Sequence, residues 1–216
     1  EKNVMAVNMP SKYNSSKTRN AAKTIARELG ISYEEIPIQK LTDLNEKLLE
    51  SHDLDKSSKK LSELNKENIQ AKIRGTSILS NLSSKYNALI TNNGNKLEIA
   101  LGYATLYGDW NGAIAPIGDL TKTEVVELAK YLNKEVFKKE VIPKSLFPDR
   151  LWNFREDQIV PSAELKNNQI DPMKFGYHCA LVEAFMDYEK ASSEDIMKWY
   201  LEGTLDKKLD NYFKGL

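Results

Sequence analysis

The sequence predicts an α/β fold: a three-layer, mostly parallel twisted sheet flanked by helices, with a helical extension at the C-terminal end. Three observations carry this. A short apolar run, Val4–Met9, is followed by a helical pattern and a second short run, Ile31–Ile38. That strand–helix–strand order favours a crossover and parallel pairing. A third run, Ala88–Thr91, ends in the polar glycine loop Asn92-Asn93-Gly94-Asn95, where open α/β sheets place their ligands. After Asn133 the character changes: Pro143, Pro148 and Pro161 punctuate an irregular stretch with Trp152, Phe154 and Arg155, and two helices close the chain. The α/β core is therefore placed at residues 1–133 and the extension at 134–216.

The elements follow in order. Val4–Met9 stops at Pro10 and reads as a buried strand. Ser15 and Ser16 are candidate N-caps for a helix whose inner face is Ala21, Ala22, Ile25, Ala26 and Leu29, and Gly30 stands where a left-handed C-terminal glycine belongs. Leu41, Leu44, Leu48 and Leu49 predict a second amphipathic helix. Ser51–Lys66 is polar and lysine-rich and reads as a mobile loop with helical fragments. A helix is expected from near Glu67 towards Lys85, with Ile69, Ile73, Leu79 and Leu82 inward. A short helix is expected over Glu98–Tyr103. Thr121-Lys122-Thr123-Glu124 is a capping box ahead of Val125, Leu128, Ala129 and Leu132. The closing helices are expected over Pro172–Lys190, with its proline in the first turn, and Ser193–Glu202.

Composition excludes several classes. Lys plus Arg and Asp plus Glu are each 31, so the formal net charge is zero and no whole-chain basic field for nucleic acid exists. The single cysteine, Cys179, permits no internal disulfide, and His52 and His178 are the only histidines, too few for a structural zinc cluster. No apolar run approaches the ~20 residues of a membrane span. With no targeting segment, and a chain that opens at Glu1 rather than at Met, the expectation is a cytoplasmic protein whose N-terminus lies further upstream.

Several residue groups are candidates for chemistry, each with a plainer alternative. Gly94–Asp109 runs from a glycine loop into a helix whose N-terminal N–H groups favour an anion, and Glu98 is a hard donor for Mg²⁺ or a ribose hydroxyl. The alternative is a solvated loop with a surface glutamate. Lys122 opposes the dipole of its own helix, a conflict that a phosphate would remove; the alternative is an exposed lysine. Asn68 with Lys72, and Gln70 with Arg74, make two polar rows on one helix. Arg74 is suited to bidentate phosphate or carboxylate contact, although most such arginines are ordinary surface residues. Cys179 and His178 are neighbours on a helix and point ~100° apart, so the pair reads as a buried structural cysteine rather than a catalytic couple. Trp152, Trp199 and the ten tyrosines read as core or interface.

Five runs occur in an order that resembles a known family: Asn3–Ser11, Glu67–Gly75, Gly94–Asp109, Pro116–Thr123, and Pro161-Ser162-Ala163-Glu164-Leu165. Together they look like the synthetase domain of NAD⁺ synthetase, particularly the glutamine-dependent bacterial type. That family belongs to the ATP-pyrophosphatase superfamily, with its adenine nucleotide alpha hydrolase-like, Rossmann-like sheet. The resemblance implies an ATP-dependent ligase. The carboxylate of nicotinic acid adenine dinucleotide attacks the α-phosphate of ATP, pyrophosphate leaves, and ammonia from a glutaminase domain displaces AMP to give NAD⁺. It further implies that Asn93, Lys122 and Ser162 face ATP. It implies that Asn68, Arg74, Glu98, Tyr103, Thr105 and Leu106 face the dinucleotide, that Glu98 serves Mg²⁺, that Pro10 and Ser11 lie near adenine, and that the domain forms a homo-oligomer.

The sequence departs from the family pattern at four points. The phosphate loop, Ser-Gly-Gly-x-Asp-Ser, would precede Glu1, and the basic Lys-Arg-x-Gln tail is not found before Leu216. Asn93 replaces a threonine and Lys72 an arginine. No nitrilase-like glutaminase domain is found within these 216 residues. The expectation is that these 216 residues alone form no NAD⁺. Two other readings stand beside this one: another adenylating amide ligase of the superfamily, against which the Gly102–Asp109 run argues, and a non-catalytic interface module.

Overall fold

The computed structural model of the chain describes residues 3–53, 56–57, 59–148, 153–187 and 191–210. Trp152, the end of the helix expected to reach Lys190, and the tail to Leu216 lie outside them. Strand β1 (Met5–Asn8) pairs in parallel with β2 (Ser32–Glu35), Met5 opposite Ser32 and Asn8 opposite Glu35. Helix α1 (Ser16–Leu29) makes the crossover. Ser15 caps it by accepting the Thr18 N–H, and Gly30, at φ 66°, closes it by donating to Ala26 and Arg27. This is the α/β order expected, with the second strand shortened. Ile38 is already the residue before α2 (Gln39–Glu50) and is fully buried.

The third expected strand is reduced to one parallel bridge, Thr91 with Ile114. Ile90 O accepts from Ala113 N at 2.9 Å, and Asn92 N donates to Ile114 O at 2.7 Å. Ala88 is drawn the other way. Its N–H donates to Ser83 O behind the left-handed Asn87, so the preceding helix takes the first residue of the run. Among the described residues the sheet has two strands.

Helix α2 exists, but its leucines do not form the core. Leu41, Leu44, Leu48 and Leu49 are all exposed, and the buried residue is Thr42, whose hydroxyl donates to Ile38 O. Helix α3 (Glu63–Lys72) begins four residues before the expected start, because Ser62 and Asn65 form a capping box. It continues through a π-helical turn, Ile73–Leu79, into α4 (Ser80–Tyr86). The π turn bonds i to i+5. Ile78, rather than Leu79, therefore joins Ile73 and Ile38 in one core cluster, with Ile69 and Leu82 packed at its edge.

Helix α5 (Lys96–Leu101) and α6 (Lys122–Tyr131) both start in capping boxes, Asn95 with Glu98 and Thr121 with Glu124. A π turn, Leu132–Val136, follows α6, and a single 3₁₀ turn, Lys144–Leu146, interrupts the next stretch. Helix α7 (Phe175–Val182) begins after Lys174, so Pro172 lies before its first turn rather than in it. Phe175, Cys179 and Val182 of α7 pack on Leu97 of α5. Helix α8 (Ser193–Leu201) lies where expected. Ala180 and Ala184 pack on Leu205 and Leu209 of α9 (Leu205–Asp210), a helix the sequence pattern did not reveal.

Candidate functional site

Helices α5 and α6 start close together: Lys96 N donates to Leu120 O at 2.8 Å. Their shared front carries Glu98 and Lys122, both half-buried. Lys122 Nζ lies 3.4 Å from Glu98 Oε1 and 5.7 Å above the Phe175 ring. The other Glu98 oxygen accepts the Asn95 N–H at 3.1 Å. Lys122 is the first residue of α6, where it opposes the macrodipole; Glu98 partly offsets that conflict, and an anion would offset more of it.

Beside this pair, Tyr103 Oη donates to Asp171 Oδ1 at 3.3 Å. Burial, and then the Asp171 carboxylate, push the Tyr103 phenol up to about 12. Burial also raises the Asp171 carboxyl, while the nearby Lys122 charge and the Tyr103 hydrogen bond pull it back. Glu98, Lys122, Tyr103 and Asp171 thus form one electrostatically coupled, half-buried polar patch of two carboxylates, one cation and one phenol.

A second group joins α3 to the loop after α5. Thr105 Oγ1 donates to Asn68 Oδ1 at 2.7 Å, and Thr105 N donates to Asp109 Oδ1 at 2.7 Å. Glycine is required where these segments cross. A Cβ on Gly75 would lie 2.0 Å from Gly108 O, and one on Gly108 would lie 2.9 Å from Ala71 Cβ. Gln70 corrects the expected surface row: it is buried, and its Nε2 donates to Leu165 O at 2.7 Å. Among the described residues, the Gln70 Oε1 is the buried side-chain polar atom left without a partner.

A third group surrounds Arg74. Its Nε donates to Met9 O at 2.9 Å and its Nη2 to Asn14 Oδ1 at 3.2 Å. Burial lowers its pKa, opposed by the charges of Glu164 and Asp109. Two residues before Glu164, Ser162 accepts the Glu164 N–H on its Oγ at 3.0 Å. Asn93 and Leu106 are exposed, outside these three groups; Asn93 Oδ1 accepts a local bond from Thr91 Oγ1 at 3.0 Å.

Sequence reasoning missed Asn14, Glu164 and Asp171 as site residues, and placed Gln70 in a polar row without its buried partner Leu165. Glu164 was within a matched run, which was a usable signal. Asp171 had none, because Tyr103 lies 68 residues away; Asn14 bonds Ser11 locally, but Arg74 and Glu164, which place it in the site, lie 60 and 150 residues away. Cys179 is buried and its thiol is pushed up by burial, as the structural reading expects. Two open grooves, of about 690 and 630 Å³, lie around Lys139 and Glu140 and include none of the expected site residues.

The expected Mg²⁺ at Glu98 does not find a protein-built site. Among the described residues no three His, Cys, Asp or Glu side chains cluster for a metal. Glu98 itself is engaged by a backbone N–H and an ammonium group. Any Mg²⁺ would depend on phosphate oxygens for its remaining ligands.

The family model described as NAD synthase matches residues 1–214. The chain belongs to the NAD synthase family. It is 36% identical over 171 residues to the glutamine-dependent NAD(+) synthetase of Synechocystis sp., covering 79% of this chain and 27% of that protein. It is 34% identical over 176 residues to the NH(3)-dependent NAD(+) synthetase of Fusobacterium nucleatum, covering 82% of this chain and 57% of that one. The structure of glutamine-dependent NAD+ synthetase from Acinetobacter baumannii in complex with ADP superposes with a TM-score of 0.60 at 27% identity, covering 97% of this chain and 34% of that chain. The chain therefore spans from 27% to 57% of the length of these two sequence relatives. NAD synthase family members are ATP-dependent ligases of glutamine-dependent and ammonia-dependent kinds. Their open α/β architecture agrees with the fold class expected from the sequence. Among the described residues no helix is long and apolar enough to cross a membrane.

Proposed function

We propose that this chain is the amidating part of an NAD⁺ synthetase, acting on ATP and nicotinic acid adenine dinucleotide with ammonia as the nucleophile. The observation that carries the proposal is the half-buried patch of Glu98, Lys122, Tyr103 and Asp171, in a chain matched to the NAD synthase family over residues 1–214. In this reading the nicotinate carboxylate attacks the α-phosphorus of ATP and pyrophosphate departs. Ammonia then adds to the acyl-adenylate carbonyl and AMP departs.

Lys122 has the charge and position for a role at the phosphates: it stands at a helix start, with one carboxylate at 3.4 Å as partner. An incoming triphosphate would compete with Glu98 for it, and a charge-assisted contact in a half-buried site is stronger than a solvated one. Asn68 and Thr105, already bonded to each other, would face the dinucleotide from one wall and Arg74 from the next. Ser162 and Ser11 would approach ATP. Positioning of this kind, with electrostatic stabilisation of the departing pyrophosphate, supplies most of the barrier reduction such chemistry needs. Mg²⁺ would arrive with ATP. A homo-oligomer, a cytoplasmic location and a glutaminase source for ammonia are consistent with the resemblance and remain part of the proposal.

The test supplies the complete gene product with ATP, Mg²⁺, ammonium and nicotinic acid adenine dinucleotide. NAD⁺ and AMP formed in equal amounts support the reading. Formation of ADP, or turnover without the dinucleotide, contradicts it and favours another ligase of the superfamily.

A further inference from the structure

A chain of side-chain hydrogen bonds joins the regions assigned to the two nucleotides. Arg74 Nη2 donates to Asn14 Oδ1 at 3.2 Å, and Ser11 N donates to the same oxygen at 2.8 Å. Asn14 Nδ2 donates to Glu164 Oε2 at 2.8 Å. The other carboxylate oxygen accepts Thr18 Oγ1 at 2.8 Å and Ser15 N at 3.2 Å. Glu164 has a left-handed backbone, φ 48°, uncommon outside glycine. Its own N–H holds the Ser162 hydroxyl at 3.0 Å. The next residue, Leu165, is tied to α3 through Gln70.

The polarity of this chain has one solution. Arg74 only donates, so Asn14 must turn its oxygen to it. Asn14 must then turn its NH₂ group to Glu164, whose carboxylate accepts all three of its donors. A change at Glu164 is thereby felt at Arg74, with Asn14 as the hinge.

We infer that Glu164 and Asn14 are positioning residues that couple the two nucleotide sites, so that occupation of the Ser11–Ser162 side sets the Arg74 guanidinium for the dinucleotide. This rests on the proposed function for what occupies each side. The relay itself is a statement about these side chains.

Reversing the polarity tests it. In Glu164→Gln the amide oxygen can still accept from Ser15 and Thr18, but its NH₂ meets the Asn14 NH₂. Asn14 can re-pair by rotating, which turns its NH₂ to Arg74 and removes the arginine's acceptor; if the new amide turns instead, its NH₂ faces the Ser15 N–H, so a donor-to-donor contact remains in either orientation. In Asn14→Asp alone, two carboxylates face each other. In the double variant Asn14→Asp, Glu164→Gln, the introduced carboxylate accepts from the introduced amide NH₂, from Arg74 and from Ser11, so the relay is restored.

The experiment measures dinucleotide Kd on the complete gene product, with and without a non-hydrolysable ATP analogue, alongside thermal midpoints. Each single variant is expected to weaken dinucleotide binding about tenfold or more with the analogue present, the scale of a lost hydrogen bond to a charged group. Each should also bring the Kd ratio without and with analogue towards one. The double variant should recover both values to within about threefold of the original. A merely structural tie would lower the thermal midpoint and leave that ratio unchanged, and that result overturns the relay while the proposed function stands. A double variant no better than the single ones overturns it too. Failure of the unsubstituted protein to bind either nucleotide overturns the proposed function and the relay together.

Discussion

Gly75→Ala sets two physical effects against each other. Gly75 is buried in the π turn after α3. Helix propensity favours alanine there by about 1 kcal/mol. The contact opposes it. The added Cβ would lie 2.0 Å from Gly108 O, 2.7 Å from Gly108 C and 3.0 Å from Gly108 Cα. A relaxed carbon–oxygen approach is about 3.3 Å, so the segments must part by about 1.3 Å. The obstructing atoms are backbone and cannot rotate away, so the upper end of the overpacking range, about 3 kcal/mol, applies. The net loss is about 2 kcal/mol. For a chain of this length that lowers the thermal midpoint by about 4–8 °C. The displaced loop also carries Thr105, whose hydroxyl is bonded to Asn68, so dinucleotide affinity should fall with stability. Differential scanning calorimetry of Gly75→Ala, with the exposed Ser77→Ala in the same turn as control, makes the comparison. A Gly75→Ala midpoint at or above that of the original chain would refute the close crossing and the reasoning built on it.

Three further outcomes are expected. Lys122→Ala should raise the ATP KM of the complete gene product, and an unchanged KM would remove Lys122 from the phosphate site. The Tyr103 phenol should titrate near 12 by ultraviolet absorbance and move part-way back in Asp171→Asn, since burial, the larger cause, remains. Because its folded pKa is raised, the stability it contributes is present below the ordinary tyrosine value and is lost as pH rises through about 12; a phenol titrating near its ordinary value would contradict this. Thr121→Ala should cost about 1–3 kcal/mol in urea unfolding, because it removes both the cap of α6 and a 2.8 Å bond to the buried Glu183. Thr121→Ser, which keeps the hydroxyl, should lose much less, and equal losses would count against the double role.

What could be read from the sequence was what short-range chemistry decides. Ser15, Gly30 and the Thr121–Glu124 box ended helices where expected, because a cap is made between residues three or four apart. The π turn escaped notice because it shifts the helical period by one residue, which moved Leu79 out of the core cluster and Ile78 in. The spacing of the α2 leucines predicts an amphipathic helix, yet spacing cannot say which face meets a neighbour; it is Thr42, bonded to the buried Ile38, that lies inward. Among the expected site residues, Glu98, Lys122 and Tyr103 came together around an Asp171 that nothing local singled out. Arg74 proved to be held by Met9 and Asn14, partners 65 and 60 residues away, and Gln70 by Leu165, 95 residues away. Contacts at such separation are made by the fold, and a single sequence carries no local trace of them.

Adenylation is the central step of the account, and isotope exchange reads it directly. Incubated with ATP, Mg²⁺ and labelled pyrophosphate but no ammonia, the complete gene product should return label to ATP only when nicotinic acid adenine dinucleotide is present, because the acyl-adenylate must form and reverse. Label returned equally well without the dinucleotide, or no return when it is present, would contradict the account.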